Sequence, residues 1–415
     1  MSIESSTRRE RAIEWIRQLT HFRPRFAGTP SELAAAEAIG RWLQQLGFEE
    51  VTIQPVPGAP RPGLVLSLHA ALAWLAVVVG GTLGALLSLI TAWSFASEVR
   101  RRVPRLSRIL PAPPSRNVVA RRGPPQPAQR VVLSAHIDAA QAGFFFSRRF
   151  ADFFAGLAQP RQERNPPVGP MLFPEVAILG AAVLCTAGWF GAQGWVLGLA
   201  RLLLLLSLSV IALGTLQWAF AAGTPGANDN ASAVAAMLLA GERLVSELPS
   251  DVELWLVGTG AEEVGCCGMQ GLLGGHREWP TTGTWFVNFE CVGGGNLHYV
   301  ESEGLARKTQ YPAALTELAR RFAESGQLGE VSPTHLMAGT DGNVPARLGY
   351  PTLSLISLEP NGVPRNYHRR EDTVENIDGD MVVRAADLGA EVVLAAVRGA
   401  CGPLPAAPAV WQEPY

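Results

Sequence analysis

The chain of 415 residues is long enough to bury one large hydrophobic core and to hold inserted segments as well. Only 17% of the residues are charged and 48% are hydrophobic, which favours a part that lies in a membrane. The formal net charge of −2 gives no indication of a nucleic-acid-binding surface. The five cysteines show no paired spacing, so a disulfide framework is not indicated.

The first predicted unit, residues 1–62, begins a domain of mixed helices and strands. Thr29-Pro30-Ser31-Glu32 has the pattern of a helix N-terminus, with a capping residue and a proline in the first turn. A helix is predicted from Ser31 to Leu46, where Gly47 ends it. The apolar run Val51 to Val56 follows as an edge strand.

The next segment, residues 63–98, is an apolar insert. From Leu64 to Phe95 the chain contains no Asp, Glu, Lys or Arg. A helix that crosses a bilayer needs about 20 apolar residues. This segment is therefore predicted to be either one long membrane helix or a hairpin of two helices bent at Gly80-Gly81.

Residues 99–170 return to the first domain. Within them, Asn117 to Ala120 is predicted as a short strand, and Arg130 to Ala135 as a buried strand that ends in His136-Ile137-Asp138. Alternate residues of an extended chain point the same way. His136 is thus a candidate metal ligand, and Asp138 is expected to hold its second ring nitrogen and fix its tautomer.

A second apolar insert is predicted over residues 171–223. Both Val176 to Ala200 and Leu202 to Asn228 lack charged side chains, so the region is interpreted as two transmembrane helices. Their turn is expected at Gly191, Gln193 and Gly194, or at Arg201.

The two inserts interrupt one domain, so each must enter and leave the membrane on the same face. Two helices in the second insert satisfy this condition, and the first insert must then be a hairpin or a re-entrant segment. The alternative is that both inserts are buried core helices of a soluble protein. Arginines flank the inserts, and short arginine-rich loops stay in the cytoplasm. The sequence thus predicts a multi-pass membrane protein with its main domain facing the cytoplasm. The flanking arginines are Arg100, Arg101, Arg102, Arg105, Arg108, Arg148, Arg149, Arg161 and Arg164.

Residues 224–400 complete the predicted domain, before a Pro-rich tail over residues 401–415. Asp229 precedes the helical pattern Ala233 to Leu248, where an acid can cap a helix N-terminus. Glu262 and Glu263 follow the strand Leu254 to Val257, at the end where open α/β sheets place their ligand crevices. Adjacent carboxylates repel each other and require a positive partner, such as a metal ion, to stay ionised. Another strand ends in Glu290, and Tyr367-His368 comes later.

Each of these motifs alone is weak, but together they supply two histidines and three carboxylates for metal, with one spare carboxylate. This set fits a two-metal site in which one acid bridges the ions. Cys266 and Cys267 lie close to Glu263 and are interpreted as buried small residues rather than ligands.

The motifs resemble those of the di-zinc aminopeptidase family, which includes bacterial leucyl aminopeptidases, aminopeptidase Y, glutamate carboxypeptidase and glutaminyl cyclase. The matching segments are 135–138, 226–232, 260–265, 288–290, 339–341 and 367–368. The resemblance implies an α/β fold with a mixed, mainly parallel central sheet flanked by helices. In this chain that fold would be interrupted by the transmembrane helices.

The resemblance also implies the role of each site residue. Asp229 would bridge two zinc ions, one held by His136 and Glu290 and the other by Glu263 and His368. Glu262 would be the general base and acid. Tyr367 would polarise the substrate carbonyl, Asp138 would support His136, and Asp341 would also lie behind the ligands. The family more often has Asp where this chain has Glu290. The extra methylene is expected to shift the zinc held by His136 and Glu290 or to weaken its binding.

The expected function is a zinc-dependent exopeptidase, most simply an aminopeptidase. It would hydrolyse peptide substrates with a water that bridges the metals and with Glu262 as the base. One alternative is a glutaminyl-cyclase-like aminoacyltransferase with a single zinc. Another is a non-catalytic membrane scaffold or receptor with a peptidase-like domain.

Overall fold

A computed structural model describes residues 3–101, 103–147, 171–305 and 308–401. Two of the sequence predictions lie outside these residues: the flanking arginines Arg102, Arg148, Arg149, Arg161 and Arg164, and almost all of the Pro-rich tail. Nothing is described of the side chains of Arg100 and Arg101.

The chain begins with two helices and an edge strand; the sequence predicts the second helix and the strand but not the first helix. Helix α1 is Ile3–His21, helix α2 is Pro30–Gln45 and strand β1 is Glu50–Val56. Thr29 caps α2 by accepting a hydrogen bond from the Glu32 backbone N–H. The Glu32 side chain departs from the capping-box pattern, because it bonds to Gly28 N and to more distant groups.

The described residues form a nine-stranded mixed sheet in the order β1-β2-β4-β3-β5-β9-β6-β7, with β8 also paired to β6. Its four central strands, β4, β3, β5 and β9, are parallel, and β1, β2 and β6 add antiparallel pairs. The remaining strands are β2 Ser115–Arg122, β3 Gln129–His136, β4 Val252–Thr259, β5 Thr284–Glu290, β6 Asn296–Glu303, β7 Thr309–Gln310, β8 Val331–Leu336 and β9 Thr352–Leu358.

Helices cover both faces of this sheet, which is what nearly continuous apolar central strands require. One face packs against α1, α2, α7 (Ala233–Glu247) and α11 (Gly379–Val397) to form the main core. The other face carries α8 and a smaller core around Trp255 and Phe286. The mixed sheet and flanking helices confirm the predicted fold class. The helices after the second insert are α7 Ala233–Glu247, α8 Cys267–Gly275, α9 Ala313–Ser325, α10 Asn343–Arg347 and α11 Gly379–Val397.

The two apolar inserts form four helices with a separate core. They are α3 Pro62–Val79, α4 Gly81–Arg101, α5 Leu172–Trp189 and α6 Trp195–Ala219. All four contain a stretch long and apolar enough to cross a membrane. Their inward faces are lined by small residues and by Leu66, Phe95, Ile178 and Leu208. In α6 only 11% of the residues in the apolar window are buried, so most of this helix faces outward.

Both inserts are hairpins of two helices. The first bends at Gly80, whose φ of +61° is in the region that favours glycine, and the second turns over residues 190–194. Of the two turn positions predicted for the second insert, the Gly191–Gly194 position is correct, and Arg201 lies inside α6. The first insert leaves the sheet after Val56 and returns to it at Ser115, which are paired partners in the β1–β2 ladder.

The hairpins pack on each other through a close crossing of α3 and α6 near the sheet domain. A Cβ on Gly63 would lie 2.6 Å from the Thr215 carbonyl oxygen and 2.9 Å from the Ala219 nitrogen. Arg61 donates to the Ala219 carbonyl at 2.7 Å and Ser67 to the Ala212 carbonyl at 2.8 Å. The backbones of the two helices therefore approach as closely as only small residues permit.

We expect Gly63→Val to destabilise the protein by about 1–3 kcal/mol, because the new side chain collides with the backbone of α6. Gly188→Val in α5 is the matched control, since a Cβ there meets nothing within 4 Å. Thermal unfolding in detergent measures both variants. Equal stability of the two would contradict the close crossing.

Candidate active site

Three of the predicted site elements lie at the carboxyl ends of neighbouring parallel strands. His136 is the last residue of β3, Glu290 is the last residue of β5, and Glu262 and Glu263 follow the end of β4. Since β4, β3 and β5 are adjacent and parallel, these side chains converge on one edge of the sheet.

Asp229 lies between the two predicted histidine ligands. Its Oδ1 is 3.3 Å from Nε2 of His136, and its Oδ2 is 3.2 Å from Nε2 of His368. The local backbone differs from the prediction, because Asp229 does not cap a regular helix. Residues Ala227–Ser232 form an irregular π-type turn with a cis peptide bond between Asp229 and Asn230, and α7 begins only at Ala233.

Each histidine has a second carboxylate partner. His136 Nε2 is 3.1 Å from Oε1 of Glu290, and His368 Nε2 is 3.3 Å from Oε2 of Glu263. All five predicted metal ligands thus converge, in the two groups that the sequence predicts, with Asp229 common to both. Oxygen and nitrogen ligands of His136, Asp229 and Glu263 all lie within 4.8 Å of one another.

Glu262 points into the same space without joining either histidine closely. Its Oε2 is 4.0 Å from Nε2 of His136, and Cys266 donates a thiol hydrogen bond to its Oε1 at 3.4 Å. Burial raises the pKa of Glu262 well above its ordinary value; His136 opposes this shift, and Glu290 and Glu263 reinforce it. A carboxyl group in this position is suited to accept and release a proton.

Asp138 holds the two glutamates by their backbone. Its Oδ1 accepts a hydrogen bond from the Glu262 N–H and its Oδ2 from the Glu263 N–H, both at 3.1 Å. The ring nitrogen Nδ1 of His136 is 3.5 Å from Oδ1 of Asp138 and 3.1 Å from the Asp138 carbonyl oxygen. Asp138 therefore contacts His136, as predicted, and also fixes the Glu262-Glu263 segment, which the sequence does not reveal.

Two further buried side chains extend this support along the same segment. Asn117 accepts a hydrogen bond from the Gly260 N–H at 3.0 Å, and Glu32 accepts one from the Ala261 N–H at 3.3 Å. With Asp138, three side chains thus bind four consecutive backbone N–H groups that lead up to Glu263. Both residues were missed in the sequence, where Glu32 has the pattern of a capping residue and Asn117 that of an ordinary strand residue.

The loops that present His136 and Asp229 are joined by buried polar contacts. Arg25, which is 1% exposed, donates to the carbonyls of Ile137 at 2.7 Å and Gly226 at 3.0 Å. Asp372 accepts hydrogen bonds from the N–H groups of Asn228 and Asp229. Arg25 was not singled out in the sequence because nothing in its local pattern marks an arginine for burial.

Strained backbone is concentrated around the ligands. Ala261, Cys291 and His368 have φ values of +55°, +48° and +52°, which are unfavourable for residues with a side chain. Each of them adjoins or is a predicted site residue. Such strain persists only where the surroundings impose it, and it clusters at functional sites.

The charge of the site suits divalent cations. Arg25 lies behind the loops of the site. The two histidines are surrounded by six carboxylates, namely Asp138, Asp229, Glu262, Glu263, Glu290 and Asp341. Burial alone would lower the pKa of His368, but the carboxylates of Glu263 and Asp229 outweigh it and raise that pKa to about 10. Within the described part of the chain, Glu263 Oε1 and Glu290 Oε2 are buried without a hydrogen-bond donor. Metal ions satisfy such atoms.

The remaining predicted residues lie at the border of this cluster. The ring of Tyr367 stacks on that of His368, with centroids 3.8 Å apart. Asp341 is fully buried and accepts a short hydrogen bond from Thr259 at the end of β4. Cys291, beside Glu290, also lies within 4.8 Å of the Asp229 and Glu290 ligand atoms and was not predicted.

The chain resembles known peptidases in sequence and in fold. Residues 212–393 match the model of peptidase family M28. This match confirms the predicted resemblance over that part of the chain, which contains Asp229, Glu262, Glu263, Glu290 and His368. No curated protein sequence matches the chain.

Solved structures share the fold at low sequence identity. BSAP, a zinc aminopeptidase from Bacillus subtilis, is 17% identical with a TM-score of 0.55, covering 94% of this chain and 95% of its own. The aminopeptidase from Aneurinibacillus sp. strain AM-1 is 18% identical with a TM-score of 0.54, covering 97% of both chains. Glutaminyl cyclase from Porphyromonas gingivalis is 14% identical with a TM-score of 0.51, covering 93% of this chain and 97% of its own.

We expect Asp138→Asn to weaken metal binding by about 10–100-fold, as is typical when a group that orients the ligands is lost. The amide would turn an NH₂ group toward a backbone N–H of Glu262 or Glu263, so one of these bonds is lost. Competition with a metal-binding dye measures the affinity. Asp251→Asn, at an exposed position before β4, is the control, and equal affinity in both variants would contradict this role.

Proposed function

We propose that the protein is a zinc-dependent aminopeptidase that uses two zinc ions. The observation that carries this proposal is the position of Asp229, whose two oxygens lie 3.3 and 3.2 Å from the two histidine nitrogens. A carboxylate shared in this way is the bridging ligand that a two-metal hydrolase requires. The match to a peptidase family and the likeness in fold to zinc aminopeptidases support it.

The residues that would hold the two ions fall into two sets that share Asp229. His136 and Glu290 would bind one zinc, and Glu263 and His368 would bind the other. Three protein ligands per ion leave a coordination position open, which is typical of catalytic rather than structural zinc. The longer side chain of Glu290 reaches the site here, since its Oε1 is 3.1 Å from Nε2 of His136.

The chain's own groups suggest how a peptide bond would be cleaved. Bound zinc supplies a Lewis acid and lowers the pKa of water. Glu262, poised beside the ligands, would remove a proton from the attacking water and deliver it to the leaving amine. Tyr367, stacked on His368, would donate a hydrogen bond to the developing oxyanion.

The excess of carboxylates supports an amino-terminal rather than a carboxyl-terminal substrate. The side chains of Glu262, Glu263 and Glu290 are 10%, 14% and 9% exposed, against 1% for His136 and 2% for Asp229, so the glutamates are the acids of the site most accessible to solvent. A free ammonium group is attracted to this negative rim, whereas a free carboxylate is repelled.

Glu262→Gln is expected to lower peptidase turnover by about 10²–10⁴-fold or more, because the amide cannot accept the proton. Zinc content should be unchanged, since the proposed ligands remain. Glu278→Gln, 68% exposed on the surface, is the matched control. Unchanged turnover in the Glu262 variant would rule out this residue as the base.

A glutaminyl-cyclase-like aminoacyltransferase is the second candidate, favoured by the structural likeness to the bacterial glutaminyl cyclase. The number of metals separates the two, because the cyclase interpretation requires one zinc. We expect two zinc ions per chain by native mass spectrometry. Chelation should abolish peptidase activity, and added zinc should restore it. One ion per active chain would favour the cyclase.

We also propose that the four apolar helices α3, α4, α5 and α6 cross a lipid bilayer as two hairpins. Their length, composition and outward-facing apolar surface support this location. In the described part of the chain, all but five of the exposed large hydrophobic residues lie on these helices or at their ends. The arginine-rich flanks favour a sheet domain in the cytoplasm.

A further inference from the structure

The loop after β3 links the site to the end of α6. This loop follows Asp138 and contains the short 3₁₀ helix Phe144–Phe146. Its backbone is bonded to the last turn of α6 and the residues just beyond it: Phe144 N donates to Gln217 Oε1 at 2.8 Å, and Ala142 N donates to the Ala222 carbonyl at 2.9 Å. This loop is therefore fixed to α6, a helix that we propose lies in the bilayer.

Aromatic rings continue this link up to a proposed zinc ligand. Phe146 contacts the ring of His368, with centroids 4.4 Å apart, and on its other side contacts Trp218 of α6, with centroids 5.4 Å apart. Arg369, next to His368, donates to the Phe146 carbonyl at 2.7 Å. The Phe146 ring thus contacts both His368 and the last turn of α6.

The residues at this end of the apolar helices have the character of a membrane–water interface. Phe144 and Phe220 are 56% and 69% exposed. The Arg105 guanidinium lies 4.6 Å from the ring centroid of the exposed Trp93. Aromatic side chains, with basic side chains beside them, gather at the headgroup level of bilayers.

A second aromatic set marks the opposite end of the same helices. Trp189, Phe190 and Trp195 lie at the turn between α5 and α6 and are 51%, 78% and 81% exposed. Helix α6 therefore has exposed aromatic residues at or just beyond both of its ends, and the loop that contains Phe144 and Phe146 adjoins the end nearer the sheet. This places the site at the bilayer surface rather than far out in solution.

We propose that the substrates are peptides held at the lipid surface, whose free amino terminus is only a few residues from the segment that anchors them. This inference rests on the proposed aminopeptidase function. A site beside the interface can be reached by a short tether, and confinement to the surface raises the effective concentration of the substrate. A site remote from the bilayer would require a long tether.

The test uses the full-length, zinc-loaded protein in phosphatidylcholine vesicles and three peptides with the same amino-terminal sequence. One peptide is soluble, and two carry a carboxyl-terminal dialkyl lipid behind linkers of about 5 or about 25 residues. An extended chain spans at most ~3.3–3.6 Å per residue, so the short linker reaches about 17 Å from the surface. We expect the short-linker peptide to be hydrolysed at least about tenfold faster than the soluble peptide.

The outcomes separate this inference from the function on which it rests. Hydrolysis of the soluble and long-linker peptides but not of the short-linker peptide would overturn it, as would equal rates for all three. Hydrolysis of none would overturn the aminopeptidase proposal and this inference with it.

Two variants then locate the contact with the surface. Phe144→Ser should lower the ratio of anchored to soluble rates at least about threefold, whereas Ile53→Ser, 37% exposed on strand β1, should not. An unchanged ratio in the Phe144 variant would overturn the assignment of this rim to the lipid surface.

Discussion

The site depends on a concentration of buried carboxylates around two histidines. Asp229 lies at its centre, with one oxygen toward each histidine, and Glu290 and Glu263 approach the same histidines from the outside. Like charges this close raise each other's free energy unless a positive charge lies between them. The same repulsion that makes the arrangement costly on its own would favour the binding of divalent cations.

Hydrogen bonds from backbone N–H groups to buried side chains fix the segments that carry Asp229, Glu262 and Glu263. Asp138, Glu32 and Asn117 bind consecutive N–H groups ahead of Glu263, while Asp372 does the same for Asp229. These contacts satisfy backbone groups that would otherwise be buried without partners. They also explain how Ala261 remains in an unfavourable conformation, since the bonds to its own N–H and to its neighbours fix this segment.

Much of this architecture could be predicted from sequence because it follows local patterns. Apolar runs that end in His136, Glu262-Glu263 and Glu290 indicate strands with polar carboxyl ends, and parallel strands bring such ends together. The length of the apolar inserts and the requirement for equal sidedness favoured hairpins, and Gly80 bends the first one. The domain boundaries remain predictions.

What could not be predicted depends on long-range contacts. Glu32 looks like a helix cap, yet its carboxylate supports a loop more than two hundred residues away. Asp229 resembles a helix-capping acid, but contacts with Asp372 and the histidines hold it in an irregular turn. Phe146 is an ordinary aromatic residue in sequence, and only the fold brings it between His368 and Trp218. Strands β6 and β8, of eight and six residues, also went unrecognised, because polar side chains interrupt their apolar residues.

The pairing of Val56 with Ser115 has a consequence for how this molecule is assembled. The β1–β2 ladder continues up to the two ends of the first apolar insert, which therefore occupies the place of an ordinary connecting loop between the edge strand β1 and its neighbour β2. Loop-closure entropy grows only slowly with loop length, so lengthening a connection there costs the sheet little free energy. The position tolerates large additions, and a chain with a short turn in place of the hairpin would keep every hydrogen bond of that ladder.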